Sequence, residues 1–517
     1  MAYYAGVDIG TTNTKALVYD PAVGRVVAVA SRPTIACHPR PGWTEFSADE
    51  VWRGVVECLR EVTSGRRESI AGVAVASMAE AGVPLDSAGR VLYPIIAWHD
   101  PRTQPQVDRW RDWVGERRIF AITGQPLQAK FSVNKLLWLR ENEPNVSAAT
   151  RKWLCLEDYI NWKLSGEYGI SESLASRTML FDQREKAWSA ELLDRAELSA
   201  DLLSTPHPSG TPIGRVTARA AEETGLPVGA IVATGGHDHL CGSLAAGVTG
   251  TGALLDSMGT AEGCVLVANE YAPDERLLRG AYCTYAHVIP GRYVVIFGLN
   301  VCGGALDWLV GQLWPEAAAS PAARSKAFAE ALAAAEFVPP GSDGLFCLPH
   351  FAGASSPWGD EAGKAAFVGL TTTHSRGHLV RALLEGLSYW LRENLDVLSR
   401  IVAIPQGREA TAIGGGTRAR LLIQTKADVT NRTIRVPDVP EATALGAALL
   451  AGLGAGAFAS ADEAAASVRR PTIVFEPDAE RAEKYRRYYE IYHEIYPALR
   501  AVDERIHNAF WSGGRLR

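Results

Sequence analysis

The chain has 517 residues, 47% of them hydrophobic and 21% charged, a composition that excludes disordered, collagen-like and coiled-coil proteins. Its 52 lysines and arginines against 58 aspartates and glutamates give a formal charge of −6, so no nucleic-acid partner is expected, because such binding needs a clustered positive field. The start MAYYAGVDIG does not resemble a signal peptide and no apolar run could span a bilayer, so we expect a cytoplasmic protein without membrane contact.

Residues 4–20 are predicted to form a β-hairpin. Two apolar runs flank a turn rich in glycine and threonine, with Gly10 and Thr11 at its centre. Such a turn offers backbone N–H groups and hydroxyls to an anion, as phosphate-binding turns do. Residues 253–267 repeat the pattern around Gly259 and Thr260. Two unrelated hairpins would also look like this, but the pair favours a duplicated architecture with a nucleotide between the halves.

Between the hairpins the pattern is that of an α/β protein, in which apolar strands alternate with amphipathic helices. Strands are predicted at residues 70–76 and 228–234, and helices at residues 49–63 and 134–142. Glycines interrupt the pattern at residues 247–252. We therefore predict two domains, residues 1–248 and residues 249–517.

Asp238 is the sharpest candidate for catalysis. It follows an apolar strand and Gly235 and Gly236, and a helix of small residues begins directly after it. The dipole of that helix favours an ionised carboxylate, which suits a group that must accept a proton at neutral pH. The alternative is that Asp238 only caps the helix, as aspartate most often does at this place. His237 and His239 flank it, but two histidines are too few ligands to indicate zinc.

The second half continues the α/β alternation. Helices are predicted at the following positions: residues 303–313, 317–335, 375–399, 419–430, 441–453 and, as a charged terminal helix, 477–509. Gly414, Gly415 and Gly416 lie between a strand and a helix, where backbone can approach a flat or anionic ligand closely. Their spacing does not fit G-x-G-x-x-G, and the chain has no G-x-x-x-x-G-K-[ST] motif, so any phosphate is bound in another way. The eight cysteines form no C-x-x-C pair and are expected to be reduced.

In order along nearly the whole chain, these segments resemble the FGGY family of carbohydrate kinases, within the actin, hexokinase and heat-shock-protein superfamily. The matching segments are Asp8 to Thr12 with Lys15, residues 42–45 with Trp52, 96–103, 135–142, Asp158 with Tyr159, 164–167, 175–181, Gly259 with Thr260, 303–308, 365–370, His378 to Gly386, 414–416, Ala427 with Asp428, and 441–448. The resemblance implies two ribonuclease H-like domains, each a mixed five-stranded sheet flanked by helices, with a cleft between them.

The resemblance also implies an activity, namely transfer of the γ-phosphoryl group of ATP to a hydroxyl of a small sugar or polyol. Asp238 falls at the position of the family's catalytic base, and Asp8 at that of the acid that holds Mg²⁺ at the phosphates. The positions that match the nucleotide site are Thr11, Thr12, Gly259, Thr260, Gly304, Asp307, Gly414, Gly415 and Ala419. Those expected to line the sugar pocket are Glu80, Trp98, His237 and His239, together with Asp238. Members of the family are often homodimers.

The sequence also departs from the family pattern. Glycerol kinases carry arginine where this chain has Ala79, so the pocket beside Glu80 and Trp98 is expected to have room and no charged clamp. We therefore expect a ketose, polyol or deoxyketose of about four to six carbons; the histidines around Asp238 are closer to deoxyhexulose kinases. The alternative is a nucleotide-driven switch of the same superfamily without kinase activity, which would explain the two hairpins but not Asp238, Glu80 and Trp98.

Overall fold

The computed structural model describes residues 2–66, 69–402 and 409–510. The strands of the first half are β1 (Tyr3–Ile9), β2 (Asn13–Asp20), β3 (Arg25–Pro33), β4 (Ala36–Cys37), β5 (Glu45–Phe46), β6 (Ile70–Ser77), β7 (Gly82–Leu85), β8 (Ile95–Ile96), β9 (Lys152–Cys155), β10 (Gly169–Ser171), β11 (Phe181–Asp182), β12 (Ala187–Trp188), β13 (Thr205–His207), β14 (Pro212–Arg215) and β15 (Ile231–His237). Those of the second half are β16 (Leu254–Met258), β17 (Glu262–Ala268), β18 (Cys283–Ala286), β19 (Tyr293–Leu299), β20 (Phe346–Leu348), β21 (Ala366–Val368), β22 (Glu409–Ile413), β23 (Thr433–Pro437) and β24 (Thr472–Phe475).

The α-helices follow the same chain order. They are α1 (Ala48–Thr63), α2 (Gln104–Trp113), α3 (Glu116–Thr123), α4 (Ser132–Asn142), α5 (Pro144–Ala149), α6 (Leu156–Ser165), α7 (Glu172–Ala175), α8 (Ala190–Ala196), α9 (Ala218–Thr224), α10 (Asp238–Ala245), α11 (Glu275–Arg279), α12 (Gly303–Leu313), α13 (Pro321–Glu336), α14 (Arg376–Leu398), α15 (Arg420–Thr430), α16 (Ala442–Gly454), α17 (Ala461–Ala466) and α18 (Ala479–Phe510).

The first large sheet has the strand order β14-β15-β6-β1-β2-β3. Strands β15, β6 and β1 are parallel, whereas β2, β3 and β14 run antiparallel to their neighbours. Because helices cover both of its faces, the central strand β6 is apolar along its length and almost entirely buried. One of these helices is α1, which begins at Ser47, whose hydroxyl accepts a hydrogen bond from the Glu50 N–H at 3.3 Å.

The second large sheet has the order β18-β19-β17-β16-β22-β23-β24. Strands β16, β22 and β23 are parallel, and β16 forms an antiparallel hairpin with β17. Helices α13, α14 and α15 pack on one another beside this sheet, around an apolar core that includes the buried Trp314 and Trp390. The two sheets share the same central arrangement, a hairpin whose first strand pairs in parallel with a later strand.

The two-domain α/β organisation predicted from the sequence is confirmed, but the sheets have six and seven strands instead of five. The five expected strands form the centre of each sheet. The additional strands are β14 in the first sheet and β18 and β24 in the second, and each pairs antiparallel at an edge. These strands of four residues are too short to show a clear alternation in the sequence.

Helices α10 and α16 form a close contact between the two halves of the chain. Although α16 belongs to the second half, it packs against β1 and β6 of the first sheet as well as against α10. The approach is close, because a Cβ on Gly6 would lie 1.9 Å from the carbonyl oxygen of Ala444, and one on Gly446 would lie 2.0 Å from that of Cys241. Glycine is therefore required on both surfaces.

Most predicted elements occur with ends shifted by one to three residues. The strand predicted at residues 228–234 is Ile231–His237, and it therefore extends to the residue before Asp238. The helix predicted at residues 317–335 begins only at Pro321, because Ser320 caps it by accepting a hydrogen bond from the Ala323 N–H at 3.1 Å.

In the described ranges, no helix combines the length and the apolar character needed to cross a membrane. All eight cysteines are free thiols, and only Cys37 is exposed.

Candidate active site

Three carboxylates lie where the parallel strands of the first sheet end. Asp8 pairs with Ala76 at the last but one position of the register of β1 against β6. Glu80 lies just after the end of β6, and Asp238 directly follows the end of β15. Because His237 pairs with Ser77, these strand ends are level with one another. Electrostatic interactions link Asp238 to both Asp8 and Glu80. The fold therefore brings three residues, separated by up to 230 positions, to one edge.

Asp238 is the first residue of α10, and the residue that precedes this helix as its N-cap is His237. The Asp238 Oδ1 atom accepts a hydrogen bond from the His239 N–H at 2.6 Å and lies 3.2 Å from His237 Nε2. No side chain caps α10, so Asp238 does not have the N-cap role considered as the alternative. Burial raises the pKa of Asp238, while His239 opposes the shift. A carboxylate of raised pKa at the N-terminus of a helix has the chemistry that a proton acceptor needs.

The two histidines that flank Asp238 differ in environment. His237 is buried; its N–H donates to Ser173 Oγ at 3.1 Å, and its Nδ1 lies 2.7 Å from the Tyr285 hydroxyl. Burial, followed by the charge of Arg177, holds the pKa of His237 well below its usual value, so the ring is neutral. His239 is exposed and lies beside β17, where a Cβ on Gly263 would be 3.4 Å from its Cε1.

Asp8 on β1 lies opposite Lys15 on β2, its partner in the first hairpin, and it is close to the second half of the chain. Burial, and then the negative charge of Asp238, raise the pKa of Asp8 to about 8, although Lys15 lowers it. Lys15 Nζ is 2.5 Å from Glu441 Oε2, at the residue before α16. Asp8 and Asp238 are thus two interacting, partly buried carboxylates, an arrangement that a divalent cation stabilises.

Glu80 is less free than the sequence indicates. It has a positive φ of 65°, and its side chain is buried. Arg177 donates from Nε to Glu80 Oε1 at 2.9 Å and makes a second bond from Nη2, while its Nη1 donates to Gln125 Oε1 at 2.8 Å. The expectation of no charged clamp beside Glu80 is therefore wrong, because an arginine reaches it from another part of the chain. Arg177 is a site residue that the sequence analysis did not single out, although it lies in the matching segment 175–181.

Trp98 lies at the first candidate phosphate turn, which contains Gly10, Thr11 and Thr12. Its ring is 41% exposed, and its indole N–H donates to Thr11 Oγ1 at 3.2 Å. Thr12 is exposed beside it, and Gly10 closes the turn by donating its N–H to the Asn13 carbonyl at 3.0 Å. A candidate wall of the sugar pocket and a candidate phosphate ligand are consequently in direct contact.

The second candidate phosphate turn, Gly259 and Thr260, is exposed and connects β16 to β17. Its carbonyl groups accept hydrogen bonds from the start of α12: Gly303 N–H to Gly259 at 3.1 Å, and Gly304 N–H to Thr260 at 3.0 Å. Gly414 follows β22 with φ of 93°, and a Cβ there would lie 2.4 Å from the Met258 carbonyl oxygen. The structure therefore brings together the turn, the start of α12 and the exposed Gly414 and Gly415.

Asp307 and Ala419 are less available to a ligand than the resemblance implies. Asp307 makes an ion pair with Arg324, whose Nε lies 3.0 Å from its Oδ1. Ala419 is only 9% exposed and precedes α15.

Among the described residues, the only group with metal-ligand geometry is Asp256, Glu262 and Cys264, and the ammonium of Lys426 lies against its two carboxylates.

Comparison with known proteins gives a consistent result along the chain. Residues 3–245 match the model of the N-terminal domain of the FGGY family of carbohydrate kinases, and residues 254–455 match that of its C-terminal domain. The chain is 28% identical to the xylulose kinase of Bacillus subtilis, over 96% of this chain and 97% of that one, and 29% identical to the L-fuculokinase of Escherichia coli K12, over 92% and 97%. Its structure is similar to the crystal structure of xylulose kinase from Rhodospirillum rubrum, with a TM-score of 0.89 and 34% identity over 97% of this chain and 100% of that one.

Proposed function

The chain belongs to the FGGY family of carbohydrate kinases, and we propose that Asp238 is the general base of its phosphoryl transfer. The protein is an ATP-dependent sugar kinase, a phosphotransferase that acts on a sugar hydroxyl. The observation that carries the proposal is the position of Asp238, at the N-terminus of α10 and at the same sheet edge as Asp8 and Glu80.

Asp238 accepts the proton of the sugar hydroxyl as that oxygen attacks the γ-phosphoryl group. Burial raises the pKa of Asp238, which makes the carboxylate a better base. The neutral His237 beside it, held through Nδ1 by Tyr285, fixes the carboxylate without adding a competing charge. Closure of the cleft around the reacting atoms excludes water, so that ATP is not simply hydrolysed.

Asp8 is proposed as the residue that holds Mg²⁺. Burial and the charge of Asp238 raise the pKa of Asp8 to about 8, so a divalent cation that prefers oxygen ligands would stabilise the ionised form of this carboxylate. When bound, Mg²⁺ supplies charge neutralisation to the transferring phosphoryl group. Lys15, paired with Glu441, adds positive charge next to Asp8 and connects the first hairpin with the start of α16.

The nucleotide is proposed to lie between the two turns. Thr11 and Thr12 on one side and Thr260 on the other offer hydroxyl groups to the phosphates, while the N–H of Gly259 closes its own turn by donating to the Ala261 carbonyl at 2.8 Å. The other residues that we propose to contact the nucleotide are Gly304, Asp307, Gly414, Gly415 and Ala419. We further propose that residues 1–248 form the sugar domain and residues 249–517 the nucleotide domain.

The sugar is proposed to lie against Glu80, Trp98, His237 and His239, deeper in the first domain than the phosphates. Ala79 is small and buried, which leaves room for a substrate larger than glycerol. We propose a ketose or polyol of about four to six carbons.

An ADP-release screen over polyols, ketoses and sugar acids of three to seven carbons, with ATP and Mg²⁺, tests this function. We expect ADP only when a substrate is added, and a kcat/KM for the best four- to six-carbon compound at least tenfold above that for glycerol. A highest kcat/KM for glycerol would contradict the proposed size, and equal ADP release without any sugar would contradict kinase chemistry at this site.

A further inference from the structure

Three charged side chains are buried together beneath the second phosphate turn. Lys426 Nζ lies 2.6 Å from Asp256 Oδ2 and 2.7 Å from Glu262 Oε1. Their side chains are between 0 and 1% exposed, so the contacts are shielded from solvent and from salt. We refer to Asp256, Glu262 and Lys426 as the buried triad.

The two carboxylates of the triad stand on either side of the turn. Asp256 is on β16 and Glu262 is the first residue of β17, where it pairs with Met258 across the hairpin. Gly259 and Thr260 lie between them in sequence. The ammonium of Lys426 bonds to both carboxylates and so joins the two strands at the base of the turn.

Lys426 comes from the element that follows the other glycine-rich segment. It lies on α15, which begins after Gly414, Gly415 and Gly416. The triad therefore connects the turn with the helix after the glycines, two parts of the chain separated by about 170 residues.

A fourth residue extends the network to α12. Cys302 Sγ donates to Glu262 Oε2 at 3.0 Å, while the Cys302 N–H donates to the Thr260 carbonyl at 2.8 Å. Cys302 is the residue before α12, whose first two N–H groups bond to the turn. The three segments of the second half that carry proposed nucleotide ligands, namely the turn, the start of α12 and the glycines before α15, are consequently attached to one buried group of charges.

The charges are not needed to fill this space. Apolar residues of similar volume often stabilise a fold as well as a buried ion pair does, so a buried triad is better explained by the geometry that it specifies. The ligand atoms of Asp256, Glu262 and Cys264 lie within 4.8 Å of one another, yet Lys426 already supplies the cation that such a group would bind.

We propose that Lys426 is a positioning residue for the nucleotide. Its ammonium fixes the turn at Gly259 and Thr260 relative to α15 and α12, so that these three segments lie around one ATP or ADP molecule. The inference rests on the proposed placement of the nucleotide between the two turns.

Binding of ADP with Mg²⁺ by calorimetry, which needs no knowledge of the sugar, tests this role. We expect Lys426→Met to weaken ADP binding at least tenfold and to raise the KM for ATP by a similar factor, with the KM for the sugar changed less than twofold. Lys426→Arg, which keeps the charge, should recover part of the loss. Lys484→Met is the matched control, because Lys484 makes an exposed ion pair with Glu480 on α18.

Lys426→Met leaves two buried carboxylates without a partner and is the variant at risk of misfolding. The triple variant Asp256→Asn, Glu262→Gln and Lys426→Met removes all the charges and keeps the shapes, and Glu262→Gln alone is milder still. We expect each folded variant to bind ADP less tightly, even where its Tm equals that of the wild type. ADP affinity within twofold of the wild type in the folded variants would overturn the inference. A wild type that binds ADP and phosphorylates no sugar would contradict the proposed function and leave this comparison intact.

Discussion

At the scale of single residues, the chemistry depends on carboxylates whose basicity is set by their surroundings. Burial raises the pKa of both Asp8 and Asp238, and each also feels the charge of another carboxylate. The same site keeps His237 neutral. The two aspartates have different neighbours, His237 and His239 at Asp238 and Lys15 at Asp8, which is consistent with the different roles that we propose for them.

Asp238→Asn tests the general base. The amide keeps the shape and can still accept the hydrogen bond from the His239 N–H, so the fold should persist, but it cannot take up a proton. We expect turnover to fall by roughly 10²–10⁴-fold, with a much smaller effect on sugar binding. Steady-state kinetics and the Tm measured with ligand check this, with Asp194→Asn on the exposed face of α8 as the control. A normal Tm combined with more than about a tenth of the wild-type rate would place the base elsewhere.

Asp8→Asn tests the cation site. Loss of the carboxylate removes a ligand from the proposed Mg²⁺ position while the hairpin, held by its backbone pairing with β2 and β6, stays intact. We expect turnover to fall by about 10²-fold or more and the Mg²⁺ concentration needed for half-maximal rate to rise. Rates measured as a function of Mg²⁺ are the readout. Wild-type turnover of the folded variant at ordinary Mg²⁺ would refute the assignment.

At the scale of elements, the close packing of α10 on α16 links Asp238, the proposed general base, with the second half of the chain. Asp238 begins α10, and Glu441, which pairs with Lys15, precedes α16. The helices approach closely because Gly446 faces the Cys241 backbone. A change in their spacing would therefore move both Asp238 and the Lys15–Glu441 pair.

Gly446→Ala tests this packing. The added methyl group would meet the Cys241 carbonyl oxygen at 2.0 Å, which forces the two helices apart. We expect the free energy of unfolding to fall by about 1–3 kcal/mol, the usual cost of overpacking, and kcat to fall with it. Gly311→Ala on α12 is the control: nothing lies within 4 Å of its added Cβ, and alanine is the better helix former there by about 0.5–1 kcal/mol. Equal stability of the two variants in urea unfolding would contradict the close approach.

The local pattern of the sequence predicted both hairpins and the strand before Asp238, because these depend on neighbouring residues: glycine and threonine in turns, apolar runs in strands. It did not predict the Arg177 bond to Glu80 or the contact of Lys426 with Asp256 and Glu262. Those partners lie about 97 and 170 residues apart, and only the assembled fold brings them together. The additional edge strands were not predicted for a different reason: a strand of four residues is too short to show a clear alternation of apolar and polar residues.

At the scale of the whole molecule, buried titratable groups make stability depend on pH in opposite directions. Burial lowers the pKa of His350 to about 4 and raises that of Glu157 to about 7. In the unfolded chain these groups titrate near 6.5 and 4.5. The neutral form of His350 therefore contributes to the stability of the folded state at high pH, and this contribution is lost as the pH falls below 6.5. The protonated form of Glu157 contributes at low pH, and this contribution is lost as the pH rises from 4.5 to 7.

Two variants separate these contributions. Relative to His350→Gln, we expect the wild type to lose about 2 kcal/mol of stability between pH 6.5 and pH 5, since one unit of pKa shift corresponds to about 1.4 kcal/mol. Relative to Glu157→Gln, we expect the wild type to lose stability as the pH rises from 5 to 7. Urea unfolding at each pH measures both differences. A difference that stays constant with pH, or that changes in the other direction, would contradict the assignment for that residue.

The placement of α16 also has a consequence for how the chain is made. Its residues Ala442–Gly454 cover a face of a sheet whose strands were all complete by residue 237. A ribosome therefore releases the first sheet long before the helix that seals it, and for some 200 residues of synthesis the apolar face next to Gly6 has no permanent cover. We expect a fragment that stops at residue 248 to aggregate or to recruit chaperones, and separately expressed residues 249–510 to rescue it by supplying α16 in trans.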